Sequence, residues 1–183
     1  MHYLPPVHQI LLAALVVAAG IYDIRERRVP NWLTLCGALM GLALNTFLYE
    51  SAGLFLSLKG LGLALLIYFP LFAIRAMGAG DAKLMAAIGA LAGPANWFGI
   101  FVVTALLGGA FGIGLMMTTG RVRRTLANMG FLIRQLAYFR APYLVNEELD
   151  VSNPKAVGLP HAAMIALGVF GFLAAAAVWA PRV

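Results

Sequence analysis

Residues 97–118 read WFGIFVVTALLGGAFGIGLMMT, 22 positions without one ionisable side chain. At 1.5 Å per residue such a run makes a helix about 33 Å long, enough to cross the ~30 Å hydrocarbon core of a bilayer. It has no polar face to turn toward water, so it cannot lie on the surface of a soluble domain. Apolar runs also occur at 7–22, 31–49, 54–74, 82–93 and 158–180. About six transmembrane helices are therefore expected, in an all-α polytopic membrane bundle. The run 82–93 is too short to span alone, so it is expected as a half-depth helix or one extended at one end. The first run needs Leu4 and the Pro5-Pro6 pair at headgroup level.

Composition agrees. The 183 residues are 62% hydrophobic and 11% charged, where a soluble domain carries about 25% charged residues. Soluble, disordered and collagen-like classes are excluded. The net charge of +6 does not point to nucleic acid, because in a membrane protein the location of the charges matters more than their sum. Arg25, Arg27, Arg28, Arg75, Lys83, Arg121, Arg123, Arg124, Arg134, Arg140 and Lys155 all fall on one side if the runs alternate, leaving Lys59 and Arg182 on the other. By the positive-inside rule the expected topology is N-out, C-out. No Lys or Arg precedes Arg25, so the first run is expected to be a retained helix rather than a removed leader. The single cysteine, Cys36, leaves no internal disulfide or CxxC zinc ribbon and is expected to be a small core residue.

The whole of 1–183 is expected to form a single membrane-embedded domain with one long cytoplasmic loop at about 119–157. In its first part Val122, Leu126, Met129, Ile133 and Leu136 share one helical face, with arginines around it. That is the pattern of a basic amphipathic helix on an anionic bilayer surface. The loop ends in NEELD, three of the seven acidic residues.

A carboxylate at membrane depth is costly, roughly 2.5–3.5 kcal/mol at a helix centre. Two acidic residues, Asp23 and Asp81, sit at the cytoplasmic ends of expected membrane helices. Read singly, Asp23 offsets the neighbouring arginines and Asp81 in MGAGDAKLM caps a helix beginning at Ala82. Read together, two carboxylates level in depth can meet across a helix interface and share a proton. One then activates water while the other hydrogen-bonds the carbonyl under attack, which is aspartyl protease chemistry. Gly78 and Gly80 would let a substrate peptide approach the backbone.

These residues carry a resemblance. GAGDAKL, residues 78–84, resembles the GxGD signature of membrane aspartyl peptidases. With YDIRERRVPN upstream it resembles the type IV prepilin peptidase family. The resemblance implies Asp23 and Asp81 as the catalytic pair. Gly78, Gly80, Lys83 and Asn31 are candidate substrate-binding or tuning residues; for Lys83 and Asn31, anchoring and helix capping remain equally open. Leu159-Pro160, followed by Ala162 and Ala163, is similar to the start of the family's last helix, and His161 there reads as structural. Trp32 and Trp97 read as aromatic-belt anchors at opposite interfaces.

The chain lacks the cytoplasmic methyltransferase region with CxxC pairs found in larger members, and so looks like the short Flp or tight-adherence type. The implied activity is removal of a short basic leader, after a glycine, from prepilin-like proteins at the cytoplasmic face of the bacterial inner membrane. No metal or organic cofactor is needed. The implied partners are prepilin substrate, the bilayer and the pilus or secretion machinery. A small proton-coupled transporter and a structural subunit of such a machinery are the alternatives. The first would distribute ionisable groups through the membrane depth, and the second would tolerate a conservative change at Asp81.

The topology has a direct test. With Cys36 replaced by serine, an Asn146→Cys protein should resist membrane-impermeant thiol reagents in intact cells and label after lysis. Labelling of intact cells would invert the orientation.

Overall fold

The computed structural model describes residues 4–74, 77–120 and 161–179. The amphipathic stretch and acidic cluster expected within 119–157, and Arg75, lie outside the described residues, apart from Thr119 and Gly120. Four helices make up the described architecture: α1 (Pro6–Glu26), α2 (Asn31–Ala73), α3 (Ala79–Thr118) and α4 (His161–Trp179). Each is long and apolar enough to cross a membrane.

Two of them fold back on themselves. As a straight rod α2 would place residues 41 and 57 about 24 Å apart, yet the Ser57 hydroxyl lies 3.2 Å from the Gly41 carbonyl oxygen. The reversal is made by Glu50 alone, at φ 54° and ψ −137°. In α3 the Trp97 indole donates to the Met85 carbonyl at 2.9 Å, across a break at Gly93 with φ 72° and ψ 169°. That conformation is essentially restricted to glycine, and Pro94 behind it offers no N–H to continue the ladder. The apolar runs read separately as 31–49 and 54–74, and as 82–93 and 97–118, are thus paired within single helices. The sequence separates these runs at Glu50-Ser51 and at Gly93-Pro94, but it does not show that one residue suffices for each reversal. The outcome is four helices, two of them doubled, in place of six separate ones.

The first arm of α3, residues 79–92, is the hub. Its length of about 21 Å is too short to cross a bilayer, and Ala82 and 84–92 are all buried. Gly93 therefore breaks the helix inside the protein, where no water meets the freed carbonyls. Side chains of α2 meet them instead. Asn45 Nδ2 donates to the Ala90 and Leu91 carbonyls at 3.0 and 3.4 Å, and the Ser57 hydroxyl donates to Ala90 at 2.8 Å. Asn45 Nδ2 also reaches Ser57 Oγ at 2.8 Å, and Asn45 Oδ1 accepts from His8 Nε2 of α1 at 3.0 Å. His8, Asn45 and Ser57 are at most 1% exposed.

Glycines let backbones close on this hub. A methyl on Gly60 would run into the Gly89 carbonyl, and one on Gly89 into Gly60. At Gly41 it would lie 2.7 Å from the Ala90–Leu91 peptide. Without a hydrophobic force between helices in lipid, such close packing is what holds them together. On the far side Leu12 and Val16 of α1 and Ile165, Val169 and Phe172 of α4 complete the core.

Two sequence expectations, for Trp97 and Cys36, change here. Trp97 is fully buried, stacked on Phe101 at 5.5 Å, because the reversal at Gly93 turns it inward onto Met85; it is no interface anchor. Trp32 is 57% exposed, edge-on to Tyr22. Cys36 is exposed rather than in the core, since Leu33 and Gly37 carry the inward face of that stretch.

Gly60→Ala should destabilise the protein in detergent by about 1–3 kcal/mol, because backbone meets backbone there. Gly62, with nothing within 4 Å of an added methyl, should gain up to about 1 kcal/mol from Gly62→Ala through helix propensity. Thermal unfolding of the two variants checks the contrast.

Candidate active site

Asp23 lies in the last turn of α1. Arg27, in the left-handed conformation at φ 53°, ends that helix, and its N–H bonds the Asp23 carbonyl at 2.9 Å. The chain then crosses Val29-Pro30 and enters α2 at Asn31, Pro30 being compatible with a helix entry. Asp81 lies in the first turn of α3. Gly78, not Asp81, is the N-cap, because α3 begins at Ala79 rather than Ala82. Folded back along that turn, Asp81 Oδ2 is 3.4 Å from where a Cβ on Gly78 would stand.

Asp23, Asn31, Gly78, Gly80, Asp81 and Lys83 all line one cavity of about 1170 Å³. Six residues chosen from sequence motifs thus come together at one end of the bundle. Gly80 has a second reason to be glycine: a Cβ there would sit 3.2 Å from Val29 Cβ. The first turn of α3 leans on the α1–α2 linker, so this glycine serves packing as well as access. Lys83 Nζ donates to Asn31 Oδ1 at 2.9 Å, tying the upstream and downstream motifs together. Glu26, Arg27 and Arg28 also line the cavity.

Asp23 is 8% exposed, and its Oδ2 accepts the backbone N–H of Ala162 at 2.9 Å. Asp81 is half-buried and interacts electrostatically with Asp23 and with His161 at the head of α4. Tyr68 of α2, 4% exposed and edge-on to Trp97, interacts with Asp81 as well. All four helices therefore supply a neighbour to one of the two carboxyls. Sequence reasoning left His161 as structural, noted Ala162 only as a small residue at the start of the last helix, and passed over Tyr68. The Leu-Pro before His161 was the available signal for the first. Tyr68 sits in an apolar run with none, and Ala162 acts through its main chain, which no side-chain pattern reports.

The model of the type IV leader peptidase family matches residues 10–113. The chain belongs to this family. No curated protein and no solved structure matches the chain. Membership makes the protein a protease of the leader-peptidase type, and its apolar helices make it a membrane protein. The matched segment of this peptidase contains every motif residue from Asp23 to Lys83 and ends before α4.

The Asn31–Lys83 contact predicts non-additivity. Asn31→Ala and Lys83→Ala should each lower cleavage of a leader peptide roughly 2–5-fold, as for loss of one modest hydrogen bond. The double variant should lose little more than either alone. Multiplying losses would mean that the two act separately.

Proposed function

We propose that this protein is an aspartyl endopeptidase of the bacterial inner membrane that removes the short basic leader from prepilin-like substrates at the cytoplasmic face. The observation that carries the reading is that Asp23 and Asp81, 58 positions apart in sequence, line one cavity at one end of the bundle. A proton relay would spread its ionisable groups through the membrane depth, so the pairing favours hydrolysis over transport. Counting each arm of α2 and α3 as one passage gives six, with the first arm of α3 incomplete. Taken with the skewed distribution of Lys and Arg, this supports N-out, C-out and a cytoplasmic cavity.

In the mechanism that follows, the dyad shares one proton. The ionised carboxylate takes a proton from a water whose oxygen bonds the scissile carbonyl carbon. The protonated partner passes its proton to the carbonyl oxygen, giving a neutral gem-diol. In the collapse of the gem-diol one hydroxyl gives its proton to the now-ionised carboxylate as the C–N bond breaks, and the leaving nitrogen takes up the proton held by the other carboxyl, which returns the dyad to one shared proton. Lys83, Gly78, Gly80 and Asn31 are assigned to the substrate's path along the cavity wall. No metal or organic cofactor enters this route.

Asp23→Asn and Asp81→Asn should each reduce cleavage of a prepilin from the same genome by at least roughly 10²–10⁴-fold, the range for loss of an acid–base group. Membrane insertion should be unchanged. Purified protein in detergent, with the shortened product followed by mass spectrometry, makes the measurement. Two folded variants cutting at the wild-type rate would remove the dyad.

A further inference from the structure

The N-terminus of α4 meets one member of the proposed dyad, and nothing in the matched family segment, 10–113, includes that helix. Ala162 is the second residue of α4, 0% exposed, and its N–H points at Asp23 Oδ2 from 2.9 Å. The first N–H groups of a helix have no partner within it and carry its positive end. Here one of them is occupied by a carboxylate from 139 positions upstream. Behind the bond the two helices touch closely: a Cβ on Gly20 would be 3.7 Å from the Ala163 Cα. That distance is ordinary van der Waals contact, so α1 and α4 pack against each other one turn below Asp23 without requiring glycine there, and the hydrogen bond sets their register.

From this we infer that Ala162 is a positioning residue of the active site, whose N–H latches Asp23 by one oxygen and so fixes the rotamer of its carboxylate. The inference rests on the proposed dyad. Oδ2 is committed to the main chain, so Oδ1 is the oxygen assigned to meet water or to share the proton with Asp81. Without the latch the Asp23 side chain, at the end of a helix and beside an open cavity, could rotate and present either oxygen. A displacement of about 1 Å in a reacting group can cost on the order of 100-fold in rate. The chemical role thus reaches a residue with no functional side chain.

The test replaces the Ala162 amide by an ester, inserting the α-hydroxy analogue of alanine, which removes the N–H and keeps the side chain. Ala162→Gly, which keeps the N–H, is the conservative control. Unfolding midpoints are measured in detergent for the wild type, the ester, Asp23→Ala and the combination. Leader cleavage is measured per folded enzyme. The expected result is a midpoint loss of several degrees from the ester in the wild-type background and much less when Asp23 is already Ala. Alongside it kcat should fall about tenfold or more, the scale of a hydrogen bond to a charged group, with KM within about twofold. Ala162→Gly should keep kcat within about twofold. Equal midpoint losses in the two backgrounds, or an ester enzyme with wild-type kcat, would overturn the latch. Failure of the wild type to cut any leader peptide would sink the proposed function instead, and the unfolding cycle would still decide the latch.

Discussion

A helix cannot stop inside a membrane protein without leaving carbonyls that must find donors, and the break at Gly93 puts that constraint at the centre of this fold. The first arm of α3 ends within the bundle, and its last carbonyls are met by Asn45 and Ser57 from the two arms of α2. Those contacts require the arms to lie side by side, which requires the reversal at Glu50. His8 of α1 then holds the other end of the Asn45 amide. Because Asn45 Nδ2 is spent on Ser57 and the carbonyls, Oδ1 faces His8, and the imidazole must carry its proton on Nε2. Three helices are thus organised by one side chain.

The short arm has a consequence for the site. Held at its far end by Asn45 and packed on α2 through Gly60 and Gly89, it presents its first turn, with Asp81, at a defined level. The cavity opens there between the end of α2, Met77-Gly78 ahead of α3 and the α1–α2 linker, while the head of α4 reaches Asp23 on its wall. Rigid helical arms, rather than long loops, carry the carboxyls, which suits chemistry that depends on fixed geometry. Glu26, Arg27 and Arg28 beside them bring mixed charge to the cavity wall.

Much of this was legible in the residues. Uncharged runs such as 97–118 report the bilayer, because nothing else accommodates them, and the motif residues around Asp23 and Asp81 are ones the fold gathers along one cavity. The runs do separate at Glu50 and Gly93, but each reversal there uses one backbone conformation, so the residues did not show that the paired runs join without a loop. Trp97 was misjudged for the same reason: position along a run says where a side chain sits in depth, not which way a doubled helix turns it. Asn45 and Ser57 drew no notice, since a single amide and hydroxyl within apolar runs have no pattern to announce them. The Ala162 contact lies beyond any side-chain pattern, because its chemistry belongs to the peptide unit.

The two polar anchors of α1 give that helix a fixed gauge length. His8 is bound at one end and Asp23 at the other, 15 residues and so about 22 Å apart, with a phase difference of about 60° around the axis. Adding or removing one residue between them would swing one anchor by about 100° relative to the other. The interval 8–23 is therefore set by the protein's own geometry, not by the thickness of the surrounding lipid. A version suited to a thicker or thinner bilayer can be made only by changing α1 outside that interval, or by tilting the bundle as one body.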